Sequence, residues 1–436
     1  MSRKILVLGA SGLIGRFVTG DLRVRGFDVT GVARNFPASQ ASDPRDLELP
    51  IMSMDAPVLA SLLRERDIDI VVNCLGVLQD GPGSDTAAVH RDFVARLLQA
   101  IHESGRAIRL VHISIPGTAE TDRTAFATSK REAERLIAAS GIAYAILRPG
   151  FVVAPAAYGG SAMLRALAAL PFDLPVREAA TPFQPVAVED IAATIAWLAA
   201  REVTGAPAVT WDLMQQEPVT LGGVIKQFRH AFGTASWPRM RLPAFLLDLG
   251  AGLGDLASLL GWMPPMRSTA IAELRRGVTG DPAGWIAATG IAPKTIEQMA
   301  GSRTASIQDK WFSRLFMVKA LVIASLALFW LVSGFIALVI SYEAAANILR
   351  THNFPPALVN PVTILTSLMD MSIGALIAFR KTCAVGLVAG IVVSLGYMAG
   401  AAVLTPELWV EPLGALVKTG PAVVLMLVAL LMLDNR

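Results

Sequence analysis

Cysteine is nearly absent from this chain, with two in 436 residues, Cys74 and Cys383. One falls in each half, so there is no disulfide framework and no paired-cysteine metal spacing, as fits a reducing compartment. Histidine is almost as scarce: the five residues follow no ligand-like interval, and no metal centre is expected. Tyrosine, the usual phenolic acid, occurs four times. No block of five or six basic residues exists, and the net charge of +3 is a small difference between 38 basic and 35 acidic side chains. Nucleic acid is therefore not an expected partner. The apolar run behind Arg3 and Lys4 is the short "ILVLGA", stopped by glycine, which predicts a buried strand and not a cleavable leader.

Apolar residues are plentiful: 53% of the chain is hydrophobic and 17% charged, too apolar for an ordinary soluble enzyme. The excess is uneven. Met1–Gln308 has a soluble composition, whereas four charge-poor stretches follow Phe312: Leu315–Ile340, Leu358–Phe379, Thr382–Leu404 and Leu413–Leu433. Each reaches the roughly 20 residues that cross a bilayer. Lys310 and Arg314 precede the first, Arg380 and Lys381 separate the second and third, and Arg436 follows the fourth. The other loops carry Glu343, Arg350, Glu407 and Glu411, so the positive-inside rule puts the soluble part and the C-terminus on the cytoplasmic side of an inner membrane. Asp370, in "SLMDMSIGAL", is an ionisable residue at membrane depth, either a functional site or a hydrogen-bonded packing residue.

The stretch "KILVLGASGLIGRFVTGDLRVRGFDVTGVAR" has the order strand, glycine turn, helix, strand. Gly9 lets the chain turn tightly, Gly12 lets backbone meet a pyrophosphate, and Gly15 allows helix to pack on strand, with Ser11, Leu13 and Ile14 completing the turn. A nicotinamide nucleotide is the expected ligand. About twenty residues on, where an acid would mark NAD, stands Arg34, whose guanidinium suits a 2′-phosphate. NADP is thus preferred, with NAD possible. Further β/α units ("DIDIVVNCLG", Ile108–Gly117, Ile142–Val153, with helices between) predict an α/β, doubly wound parallel sheet. The expected organisation is a Rossmann domain over 1–205, a small α/β substrate lobe over 206–310 and an all-α four-helix transmembrane domain over 311–436. Within the lobe Thr220 caps a helix, and "LPAFLLDLGAGLGDLASLLGW" is either a buried helix or a surface resting on lipid.

On these motifs the chain resembles the atypical or extended short-chain dehydrogenase/reductases over roughly residues 3–300. "GASGLIG" matches their glycine motif, "NCLG" (Asn73–Gly76) the segment ending strand four, and "HIS" (His112–Ser114) the one supplying the active-site serine. "RPG" (Arg148–Gly150, with Pro149) matches the stretch that closes over the nicotinamide, and the nearest flavour is the nucleotide-binding accessory subunit of respiratory complex I. The tail resembles the DoxX-like membrane family.

The resemblance implies that Ser114 polarises the substrate oxygen and that Lys130 holds the nicotinamide ribose, with Asn73, Gly76 and Pro149 also lining the cofactor. The family's Tyr-x-x-x-Lys is only half present, because Phe126 stands at the tyrosine position and a phenyl ring has no proton to give. Among substitutes Tyr158 is best placed; Tyr144 alternates within a strand, and the hydroxyls of Thr128 and Ser129 are poor acids. His112 shares a strand face with Ser114 and is either structural or part of the site, while Asp190 is expected to cap a helix. Two functions follow. One is hydride transfer between NADPH and an apolar carbonyl or quinone-like molecule, with a membrane redox partner as a further possible reactant. The other is a catalytically inactive nucleotide scaffold or redox sensor tethered to the membrane.

Overall fold

The computed structural model describes residues 3–37, 43–81, 85–202, 208–301, 305–352, 354–410 and 414–433. Two residues in the charge comparison above, Glu411 and Arg436, lie outside these, as does Leu413. The chain divides into two compact units: Met1–Asp255 with Pro264–Ser313, and Leu256–Met263 with Arg314–Arg436.

In the first unit, β1 (Lys4–Leu8), β2 (Asp28–Ala33), β3 (Leu47–Glu48), β4 (Ile70–Asn73), β5 (Arg109–Ile113) and β6 (Tyr144–Pro149) join the strand Val209–Leu213 in one sheet. All pairs are parallel, in the order β3, β2, β1, β4, β5, β6 and 209–213. The strands are apolar runs because helices cover both faces: Ile5, Val7, Val72 and Val111 pack on one side, Leu6, Leu8, Val71 and Leu110 on the other. Chain direction across the sheet reverses between β1 and β4, so their carboxyl ends open a crevice at the switch point.

The covering helices are α1 (Leu13–Val24) and Val188–Ala199 on one face and α2 (Ala56–Glu65), α3 (Phe93–Ser104) and α4 (Ala125–Ala139) on the other. Away from the sheet, α5 (Gly159–Ala169) packs on Leu221–Phe232. Thr124 starts α4 by accepting from Ala127 N–H at 3.1 Å, and Gly105, at φ +67°, ends α3. Thr220 caps Leu221–Phe232 as expected, accepting from Gly223 N–H at 3.0 Å.

Two expectations are corrected here. The single strand over Ile142–Val153 is two, β6 and Phe151–Val153, broken at Gly150, where a Cβ would stand 2.0 Å from Gln184 O. Asp190 is not a cap: the helix Val188–Ala199 starts two residues earlier, and the Asp190 carboxylate accepts from Lys294 N–H at 3.0 Å, a tertiary contact no local pattern shows.

The second unit is a bundle of apolar helices consistent with a membrane domain. Ile307–Ile340, Pro356–Ala378 and Cys383–Leu404 are each long and apolar enough to cross a bilayer. The last helix, Ala415–Leu431, has 17 residues, a rise of about 25 Å. Glycines set the crossings: a Cβ on Gly374 would lie 2.7 Å from Leu331 N, and one on Gly386 2.7 Å from Ile377 N. Trp330 Nε1 donates to Met426 Sδ at 3.4 Å, and the phenol of Tyr397 donates to Asp370 at 3.0 Å.

Candidate active site

The turn after β1 is pinned to the end of β2: Gly9 and Ala10 N–H both donate to Val32 O, at 2.9 and 3.0 Å. Gly9 adopts φ +79°, which a side chain would strain. A Cβ on Gly15 would stand 2.2 Å from Gly9 O, so only glycine lets α1 approach the strand this closely. Gly12 begins α1 with no side-chain cap, which leaves the first-turn N–H groups of Leu13, Ile14 and Gly15 for an anion. Ser11 is half-buried in the same turn. Among the described residues, Gly9 O at 3.2 Å is the one atom close to where a Cβ on Gly12 would stand, and the cradle fits the pyrophosphate of a dinucleotide. Arg34 follows β2 directly and is exposed.

Across the switch point Asn73 is buried, its Oδ1 accepting from Leu75 N–H at 3.1 Å and its Nδ2 meeting His112 Nδ1 at 3.2 Å. The ring nitrogen must accept there, so the His112 proton is assigned to Nε2. Burial, with the charge of Lys130 adding to it, keeps this fully buried histidine neutral. Beyond Asn73 the chain passes through Gly76, whose Cβ position lies 3.5 Å from Lys130 Nζ and 3.7 Å from His90 Nε2.

Lys130 and Phe126 lie one turn apart on α4. Lys130 Nζ donates to Ile113 O at 2.8 Å and to Leu75 O at 3.4 Å, tying β5 to the loop after β4. Burial pushes this ammonium down to about 8, against the opposing pull of Cys74 and Glu134. Phe126 presents its ring to that of His90, with centroids 5.6 Å apart and planes at 72°. His90 Nε2 accepts from Val77 N–H at 3.2 Å, its Nδ1 meets Ser129 Oγ at 2.8 Å, and Ser129 Oγ donates to Phe126 O at 3.0 Å. The chain is thus uniquely polarised: His90 Nδ1–H donates to Ser129. Burial, then Lys130, holds His90 neutral.

His90 was missed from sequence. It stands on a single π turn, Ala88–Asp92, which swings it inward ahead of α3. The available signal was a histidine amid the apolar stripe of "AAVHRDFVARLLQA".

Ser114 is buried just past β5, its N–H donating to Leu147 O at 2.7 Å. Its hydroxyl is buried and meets no hydrogen-bond partner among the described residues. On α4 nearby, burial pushes the Glu134 carboxyl up, but Arg148, with Arg131, more than offsets it and holds it below its ordinary value. Arg148 is bound to Glu134 and not turned to the crevice, while Pro149 is buried at the end of β6. Tyr158 is 46% exposed at the start of α5, a different setting from the buried group around Lys130. Among the described residues no cluster of three or more histidine, cysteine or carboxylate side chains could hold a metal.

Comparison with known proteins places this geometry. Residues 9–196 match the NAD(P)H-binding family, and residues 327–427 match the DoxX-like family. A 3-diazoavenalumate denitrifying reductase from a Streptomyces species is 29% identical over 322 residues, covering 65% of this chain and 95% of that protein. A dTDP-6-deoxy-L-talose 4-dehydrogenase (NAD(P)+) from Kitasatospora kifunensis is 30% identical over 132 residues, 30% of this chain and 40% of the enzyme's own length. Among solved structures, a UDP-glucose 4-epimerase of Stenotrophomonas maltophila with bound NAD aligns with a TM-score of 0.53 at 19% identity, covering 73% of this chain and 99% of that one. A UDP-glucuronic acid 4-epimerase of Bacillus cereus in complex with UDP-glucuronic acid and NAD gives 0.52 at 15%, covering 72% and 99%. At such identities the solved structures share the fold.

Proposed function

We propose that this chain, an NAD(P)-binding Rossmann domain followed by a DoxX-like multi-helix membrane domain, is a reductase of quinone-like acceptors that draws on NADPH. The observation that carries this reading is the pair Phe126 and Lys130: the cation is kept and the phenol is gone. Reduction of an aliphatic carbonyl produces an alkoxide, which needs a positioned acid. Reduction of a quinone produces a phenolate, whose conjugate acid has a pKa near the phenol value of ~10. A phenolate of that basicity persists long enough to take its proton from Lys130, pushed down to about 8, after hydride transfer, whereas the far more basic alkoxide must be protonated as it forms by an acid placed on the oxygen itself.

When bound in the glycine turn, the reduced nucleotide supplies the hydride. The chain's own groups would then divide the work: Gly9–Gly15 would hold the pyrophosphate, and Asn73, Gly76 and Pro149 would line the nicotinamide side of the crevice. Ser114 polarises the acceptor oxygen, Lys130 supplies charge and proton, and Tyr158 takes no part. One hydride and one proton are consumed per acceptor, and the hydroquinone is released.

Reduction is supported by the Streptomyces relative, by name a reductase, which this chain matches along 95% of that protein. The nucleotide-sugar enzymes of similar fold are described with NAD; for this chain the exposed Arg34 after β2 supports NADP. A scaffold reading draws on the same Phe126, packed edge-on against His90.

The test uses the full-length protein and follows NADPH oxidation with a short-chain quinone and with an aliphatic aldehyde of similar size. The expected result is turnover of the quinone alone, falling by roughly 10²–10⁴-fold in Lys130→Ala with nucleotide still bound. Bound nucleotide with no oxidation by either acceptor would establish the scaffold.

A further inference from the structure

We infer that the helix Ala244–Leu259 of the soluble part is a membrane-surface helix, its outer face buried in the lipid headgroup and acyl boundary. The helix has two apolar faces. Leu247, Ala251 and Ser258 are buried on one. Phe245, Leu249, Leu253, Leu256 and Leu259 line the other at intervals of three and four, exposed by 65, 54, 57, 57 and 74%. An exposed apolar stripe of this length needs an apolar cover, and it continues into Met263, exposed by 75%. Its two carboxylates, Asp248 and Asp255, are both ion-paired, with Arg275 and Arg267 at 2.9 Å each. Both lie beside the stripe of Phe245, Leu249, Leu253, Leu256 and Leu259, whose own side chains are hydrocarbon.

The occupant follows from where the helix ends. Residues 256–263 belong to the same compact unit as the membrane bundle. Leu260 O accepts from Arg380 N–H at 3.0 Å, and Trp262 Nε1 donates to Ala378 O at 2.7 Å. The Arg380 guanidinium lies 5.5 Å from the Trp262 ring centroid. Ala378 ends the second spanning helix, and Arg380 and Lys381 form its basic turn, so this contact is at the level of the headgroups. A tryptophan beside an arginine is what that level favours. The last turn of this one helix, from Leu256, belongs to the bundle's unit, so its exposed apolar stripe ends at the headgroup level, and a helix with such a stripe lies in the plane of the interface. The lipid reading of the sequence alternative is thereby preferred over simple burial, although the inner face is buried as well.

The experiment places single spin labels by Leu249→Cys and, separately, Leu253→Cys in the full chain, with Cys74 and Cys383 replaced by alanine. The protein is held in nanodiscs of phosphatidylethanolamine and phosphatidylglycerol. Leu365→Cys, at a 67% exposed site on the second spanning helix, is the lipid reference, and Val24→Cys, at an 89% exposed site on α1, is the water reference. Both helix labels should collide with oxygen as the Leu365 label does and be shielded from a water-soluble nickel chelate. Access to the chelate equal to that at Val24 would overturn the inference. Shielding from both reagents would overturn it too, since the face would then be covered by protein, a second copy or another chain.

Discussion

Glu134 accepts two hydrogen bonds from one guanidinium, from Arg148 Nε at 2.8 Å and Nη2 at 2.6 Å. Arg131 adds a third approach, its Nη1 lying 3.1 Å from Glu134 Oε2. The arginine of the "RPG" stretch is thus spent on joining β6 to α4, beneath the strand ends that carry Ser114.

That ion pair makes stability depend on pH. The Glu134 carboxyl is held below its ordinary value of 4.5, so its contribution is complete above that pH and is lost as pH falls through the lower folded value. Glu134→Gln should cost about 2 kcal/mol at neutral pH, the scale of hydrogen bonds to a charged group. Thermal unfolding of the soluble part from pH 7 downward should show the two proteins converging below about pH 4.5. A gap independent of pH would mean the charge contributes nothing.

Arg34 should set the nucleotide preference. Replacing it with alanine is expected to weaken NADP binding by about 1–3 kcal/mol and leave NAD unchanged, because only NADP carries the 2′-phosphate. Calorimetry with both nucleotides measures this directly. Equal losses for the two would remove Arg34 from the site.

For topology, a reporter fused after Arg436 should be active on the cytoplasmic side only. His352, whose ring pairs with Glu407 in the loop region at the other end of the bundle, marks the opposite face. A cysteine at His352 should therefore react with an impermeant maleimide added to intact cells. Labelling only after lysis would invert the orientation.

The Rossmann sheet was legible because its signals are local. Glycines at 9, 12 and 15 meet steric demands of the turn itself, and β1 and β4 announce themselves as apolar runs. The helix cap expected at Thr220 is likewise local, made by residues three apart. What escaped depends on distance in the chain. Asp190 resembles a cap, yet its partner is 104 residues away. His90 enters the site through a π turn, a register change that a 3.6-residue pattern hides. Arg148 opens the "RPG" stretch, and its carboxylate partner on α4 is visible only once β6 and α4 are packed. The helix 244–259 was ambiguous because its inner and outer faces are both apolar, and hydropathy does not separate protein from lipid as the cover.

The central claim is that a buried lysine without a neighbouring phenol suits an acceptor whose reduction first gives a phenolate. The most direct measurement is the ratio of aldehyde to quinone turnover in Phe126→Tyr relative to the native protein. The new phenol would lie one turn from Lys130, whose charge lowers its pKa and makes it a competent acid for an alkoxide. The account predicts that aldehyde turnover rises by roughly 10²-fold or more while quinone turnover changes little, so the ratio climbs. An unchanged ratio, with nucleotide bound and the protein folded, would contradict it.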